Sequence, residues 1–146
     1  MKKILPPTYI FLCIVLMAVL HQFLPILKII PMPYGLIGII PLALGIYLNL
    51  KTDKLFTKHE TTVKPFENAS SLIHEGPFLY SRHPMYVGMV LLVLGIAVIM
   101  GTLSPYIPVI AFFFVLNWFA GVEEKSMQAE FGTEYSDYMK KVRRWV

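Results

Sequence analysis

A chain of 146 residues that is 56% apolar and only 15% charged, with a mean hydropathy of +0.62, holds more hydrophobic material than a water-soluble domain needs. Its apolar residues come in long blocks rather than at amphipathic spacing, so the solvent for those blocks is the bilayer. The single cysteine, Cys13, excludes a disulfide framework and a cysteine metal cluster and reads as a small packing residue.

Lys2 and Lys3 precede the first apolar block, Tyr9 to Leu27, whose far end carries His21, Gln22 and Pro25 and is expected to kink or to frame a polar cavity. A removable signal peptide is the weaker reading of this block, which is long and lacks a clear small-residue cleavage site. Lys28 follows, then a second block, Tyr34 to Leu50. A polar connection over residues 51–84 carries Lys51, Lys54, Lys58, Lys64 and Arg82. The uncharged stretch from Met85 to Val122 is too long for one crossing and is broken by Gly101, Thr102, Ser104, Pro105 and Pro108. It predicts a helical hairpin with spans Met85 to Leu103 and Pro105 to Val122. Each of the four blocks is close to the ~20 residues that cross a hydrocarbon core. The tail, residues 123–146, adds Lys125, Lys140, Lys141, Arg143 and Arg144, so twelve of the thirteen basic residues share one side and only Lys28 falls on the other. That asymmetry assigns both termini to the cytoplasm, and the formal net charge of +4 marks orientation rather than a nucleic-acid partner. The expected architecture is all-α: a single-domain, multi-pass membrane bundle of about four transmembrane helices with a C-terminal amphipathic cytoplasmic helix.

Every acidic residue lies in the 51–84 connection or in the tail, so polar chemistry belongs on that side. The run Gly76-Pro77-Phe78-Leu79-Tyr80-Ser81-Arg82-His83-Pro84-Met85-Tyr86-Val87-Gly88 enters the third span directly. Pro84 suits the first helical turn, which presents Arg82 and His83 at a helix N-terminus, a place favourable to an anionic group. The plainer reading has Arg82 reaching lipid phosphate while Tyr80 and Tyr86 form an interfacial aromatic belt. In the tail, Met127, Phe131, Tyr135, Tyr138, Val142 and Trp145 recur at spacings of three and four and predict an amphipathic helix along the cytoplasmic surface. If that helix runs unbroken through Gly132, Glu124 shares the stripe and Glu123 flanks it. Carboxylates so placed usually have a partner or a task, unless they serve only to begin the tail helix.

Taken together, Leu72-Ile73-x-x-Gly76-Pro77-Phe78, Arg82-His83-Pro84-x-Tyr86-x-Gly88, Glu123-Glu124 and Phe131-Gly132-x-x-Tyr135-x-x-Tyr138 with Val142-Arg143-Arg144-Trp145 resemble the isoprenylcysteine carboxyl methyltransferase family, in particular its short bacterial members. The likeness covers roughly the last hundred residues, and its order and spacing carry more weight than any one piece. The resemblance implies a helical membrane enzyme that binds S-adenosylmethionine on the cytoplasmic side and methylates a hydrophobic or lipid-like acceptor delivered from the bilayer. Cofactor contacts carried over by position fall on Ser70, Ser71, Leu72, Ile73, Phe78, His83, Pro84, Met85, Tyr86 and Glu123. Arg82 and Glu124 are the candidate catalytic residues, with Tyr135, Tyr138 and Arg143 nearby, and no metal is implied. Ser70, Phe78 and Phe119 stand where the eukaryotic enzymes have a histidine, a tyrosine and a carboxylate-binding arginine. The last departure places an apolar ring near the expected acceptor entrance, one turn from Glu123, and speaks against a prenylcysteine acid as substrate. Rival classes are a membrane NADPH-dependent reductase of the sterol-reductase type and a non-catalytic scaffold.

Overall fold

The structure is a computed structural model that describes residues 6–59 and 71–146, without the side chain of Pro7. These residues form four α-helices, α1 (Pro6–Phe23), α2 (Ile39–Lys58), α3 (Pro84–Met100) and α4 (Tyr106–Lys141), with 3-10 turns at Tyr34–Gly38 and Gly76–Leu79. Among the described residues the fold is wholly helical, with only isolated bridges between Lys28 and Thr102 and between Ser81 and Arg143.

The centre of the bundle is α3, which packs on α2 at one side and on α1 and α4 at the other. Lipid tails are as apolar as leucine, so burial alone does not drive these helices together and close packing must. Glycines supply it. A Cβ on Gly45 would stand 2.5 Å from the carbonyl oxygen of Gly88, and one on Gly38 2.5 Å from that of Gly95, so α2 and α3 meet backbone to backbone at two points seven residues apart. The Asn49 amide closes the first contact by donating to the Gly45 carbonyl at 2.8 Å. On the other side of α3, Met17, Val93, Ala97, Leu116, Phe119 and Ala120 form a sealed core. The outward surface is apolar instead: Phe11 is 70% exposed, Phe23 81% and Phe114 65%, with Ile37, Ile40, Leu50, Ile107 and Trp118 beside them. A surface this rich in bare hydrophobic side chains belongs in a membrane. By length and apolar content, Tyr34–Lys58 and Tyr106–Lys141 are each sufficient to cross one, while the apolar helices of the α1 and α3 regions are shorter.

Several boundaries differ from the sequence reading: α2 begins at Ile39 after a 3-10 turn rather than at Tyr34, and α3 stops at Met100 rather than Leu103 because Gly101, at φ 72°, ends it in the left-handed region. Helix α1 stops at Phe23 rather than Leu27, because Pro25 cannot donate and biases Leu24 away from helix. The freed chain pairs with the α3–α4 turn: the amides of Ile29 and Ile30 donate to the Gly101 carbonyl at 2.9 and 3.0 Å, and the Leu103 amide donates to Ile26 at 3.0 Å. His21 Nδ1 and Thr102 Oγ1, 2.8 Å apart, complete this clasp. Helix α2 runs to Lys58, eight residues beyond the apolar block, since nothing in 51–58 breaks the ladder where the hydropathy falls. Helix α4 joins the fourth apolar block to the tail, but it does not continue unbroken: Gly132 sits at φ 54°, ψ −119°, and kinks it. The apolar stripe beyond that kink packs on protein. Tyr135, Tyr138 and Val142 pack with Leu72, Met127 and Phe131. The Tyr138 hydroxyl donates to the Phe78 carbonyl at 2.7 Å, so the tail braces the segment that leads into α3.

Candidate active site

The polar residues gather where α3 begins and the apolar part of α4 ends. Pro84 opens α3 at a position whose missing N–H costs nothing, and His83 caps the helix in a non-helical conformation (φ −126°, ψ 59°) that turns its ring toward α4. There the imidazole lies between two successive carboxylates, with Nδ1 3.2 Å from Glu123 Oε2 and Nε2 3.2 Å from Glu124 Oε1. Ionised carboxylates only accept, so both ring nitrogens must donate and the ring is an imidazolium. Burial pushes its pKa down, but hydrogen bonds and charge from Glu123 and Glu124 more than reverse this and hold the value above the ordinary one. Tyr86, one turn into α3, stacks flat on His83 at 5.4 Å and donates its hydroxyl to Glu123 Oε1 at 2.7 Å.

Glu124 is the more enclosed carboxylate. Its Oε1 accepts from His83, stands 3.2 Å from Arg82 Nη2 and accepts from Arg144 Nε at 3.0 Å; its Oε2 accepts from Arg144 Nη2. Burial alone would raise its pKa, but the hydrogen bonds from His83 and Arg144 and the charge of Arg82 push it down to about 2. The anionic groups that meet Arg82 and His83 at this helix N-terminus are thus carboxylates from α4. Arg82 Nε is buried and has no hydrogen-bond partner among the described residues.

Beside this network opens a small cleft, about 310 Å³ when the open space at its mouth is counted. It brings together Phe78, Arg82, His83, Pro84, Met85, Tyr86 and Glu123 from the sequence expectation, and adds Phe56 from the charged extension of α2. Phe56 meets Phe78 edge to face at 5.6 Å. Glu124 stands behind His83 and does not line the cleft, nor do Ser71, Leu72 or Ile73. Ser71 donates to the His59 carbonyl at 3.4 Å, Leu72 packs on the tail cluster and Ile73 is buried. Ser70 lies outside the described residues. Phe119, expected near an acceptor entrance, is 2% exposed, meeting Tyr9 and Trp118 edge to face in the core, and does not line the cleft.

The sequence profile of the phospholipid methyltransferase family matches residues 34–134, from the turn before α2 to beyond the Gly132 kink. The chain belongs to that family. Its fold is similar to that of the eukaryotic intramembrane Ras methyltransferase, isoprenylcysteine carboxyl methyltransferase, with a TM-score of 0.71 at 23% identity over 96% of this chain. The chain spans about half of that protein, 51% of its length. An uncharacterized protein of Haemophilus influenzae is 36% identical over 63 residues, which are 42% of this chain and all of that protein. Membership makes this phospholipid methyltransferase relative a membrane protein of a methyltransferase class, and its paired carboxylates and Arg-His-Pro turn stand at one end of the shared helical fold.

Proposed function

We propose that this chain is a S-adenosylmethionine-dependent methyltransferase that acts on a hydrophobic or lipid-like acceptor. The observation that carries this reading is the cleft between Phe56, Arg82, Tyr86 and Glu123. Its residues fit the donor's parts. The buried, unsatisfied Arg82 Nε suits the amino-acid carboxylate, Glu123 suits an ammonium or ribose hydroxyls, and the faces of Phe56, Phe78 and Tyr86 suit the adenine and the sulfonium. When bound, the donor supplies a methyl already activated on a sulfonium centre. The chain then has little to do but hold the donor still and keep water out, which are the tasks a buried, cross-braced site performs well. His83, locked as a cation between Glu123 and Glu124, holds the carboxylate pair in place. Arg82, which lines the cleft, is the remaining candidate for contact with the reacting groups, whereas Glu124, held behind His83, acts through its neighbours; the acceptor arrives from the lipid that surrounds the exposed faces of α1, α2 and α4.

The reading is tested by calorimetry on the detergent-purified protein with S-adenosylmethionine and NADPH in parallel. Saturable binding of the first and none of the second is expected, and Glu123→Gln should weaken it by roughly 1–3 kcal/mol, the scale of a lost hydrogen bond to a charged group. Preferential NADPH binding would indicate the reductase class, and binding of neither would indicate a scaffold.

A further inference from the structure

The two carboxylates that leave the apolar part of α4 are not equivalent, and the residue that separates them comes from the far end of the chain. After Lys141 the helix stops and Val142 is extended (φ −121°, ψ 132°). The last residues turn back beside the entry to α3: the Arg82 amide donates to the Arg143 carbonyl at 3.0 Å, and the Ser81 hydroxyl donates to the Arg144 carbonyl at 3.1 Å. The same Ser81 oxygen accepts from the His83 amide at 3.2 Å, so the tail and the His83 backbone share one anchor. Arg144 then lays its guanidinium along α4. Nε and Nη2 take the two oxygens of Glu124, and Nη1 reaches Asn117, two turns deeper, at 3.4 Å. Trp145 donates to the same Asn117 oxygen at 3.3 Å and packs on Phe113 at 4.9 Å. Between Asn117 and Glu124 the helix carries Gly121, whose added Cβ would meet nothing within 4 Å, leaving room on this part of α4.

We propose that Arg144 is a positioning residue that commits Glu124 to the protein and thereby leaves Glu123 as the carboxylate offered to the ligand. A two-point guanidinium clamp fixes the plane of a carboxylate in a way that a single ammonium cannot. With Oε2 held by Arg144 Nη2, His83 Nε2 meets Glu124 at Oε1, which it shares with Arg144 Nε and Arg82, and this contact fixes the ring and turns its opposite nitrogen to Glu123. Among the described residues, the titratable and charged groups around His83 are Glu123 and Glu124 from α4 and Tyr86 from α3, with Arg82 before α3 and Arg144 and Tyr135 from the tail acting through Glu124.

The positioning role rests on the methyltransferase reading of the cleft, but the state of His83 does not, and the two are measured separately. Side-chain ¹⁵N NMR of the full-length protein in micelles follows the His83 titration in wild type, Arg144→Ala and Arg144→Lys. Loss of the Arg144 charge leaves Glu124 more negative toward His83, so Arg144→Ala should titrate at higher pH than wild type. Arg144→Lys keeps the charge, guards against a variant that fails to fold, and should titrate close to wild type. Both should bind S-adenosylmethionine about 10-fold or more weakly by calorimetry, because neither can hold both carboxylate oxygens and Asn117 at once and so neither holds Glu123 in place. An unchanged His83 titration in a folded Arg144→Ala protein, or a Kd of Arg144→Lys for S-adenosylmethionine equal to that of wild type, would overturn the clamp. A shifted titration in a protein whose wild type binds no methyl donor would support the clamp and overturn the methyltransferase reading instead.

Discussion

His83, capped between Glu123 and Glu124, ties the stability of the protein to pH in a direction that can be worked out. Its folded pKa is raised above the ordinary 6.5, so the stability it contributes is fully present below 6.5 and is lost as pH rises through the folded value. Glu124 behaves oppositely. Its pKa is lowered from 4.5 to about 2, so its contribution is present above 4.5 and is lost as pH falls toward 2. Thermal unfolding of the purified protein should therefore peak between those two ordinary values and decline on the alkaline side, and His83→Gln should remove the alkaline decline. A wild-type midpoint that stays level above pH 6.5, or an identical slope in the variant, contradicts the imidazolium assignment. At this scale much of the candidate site is legible in the sequence. Arg82, His83, Tyr86 and Glu123 announce themselves because charged and aromatic residues at the edge of an apolar run need a reason to be there. Phe56 and Arg144 were not legible. Phe56 looks like one more loop aromatic until α2 is known to continue past Leu50, and the role of Arg144 depends on a chain reversal at Val142 that no local pattern prescribes.

The pairing of α2 with α3 depends on glycines that leave no room for a side chain. Gly45→Val should lower the unfolding midpoint, because even a Cβ there would stand 2.5 Å from the backbone of Gly88, and backbone cannot swing aside. Overpacking of this kind costs roughly 1–3 kcal/mol in ordinary cores, and the upper end applies here. Gly121→Ala is the matched control: its Cβ would meet nothing, so the change should be neutral or gain up to about 1 kcal/mol of helix propensity. Equal effects of the two substitutions would show that helix propensity, and not close approach, sets the outcome. The same elements show what a hydropathy pattern does and does not contain. It locates the apolar runs because lipid demands them, yet it misplaces their ends. The backbone hydrogen-bond ladder of α2 continues to Lys58 after the lipid has stopped, and that of α1 stops at Phe23 while the apolar run goes on. The tail stripe at spacings of three and four is real, but periodicity does not say what covers it, and here Leu72 and the Phe78 backbone meet it.

For the whole molecule, the twelve-to-one split of basic residues leads to a proposed topology of four crossings with both termini in the cytoplasm. Reporter fusions after Ile30, Asn68, Ser104 and Val146 check it: the first and third should report the outer side, the second and fourth the inner. An outer signal at Asn68 or Val146 would reverse the orientation. The clasp at the end opposite the cleft then acquires a meaning. There the segment after α1 is stitched to the α3–α4 turn by backbone hydrogen bonds and by His21 with Thr102, above a core in which Met17, Val93, Ala97 and Leu116 are sealed. On the proposed function, a bundle tied shut there would take its donor and acceptor at the end that holds the cleft. On the proposed function and orientation, and with a lipid as acceptor, each turnover would alter the inner leaflet alone, so the product would build up as a difference between the two leaflets and persist for as long as lipids are slow to flip.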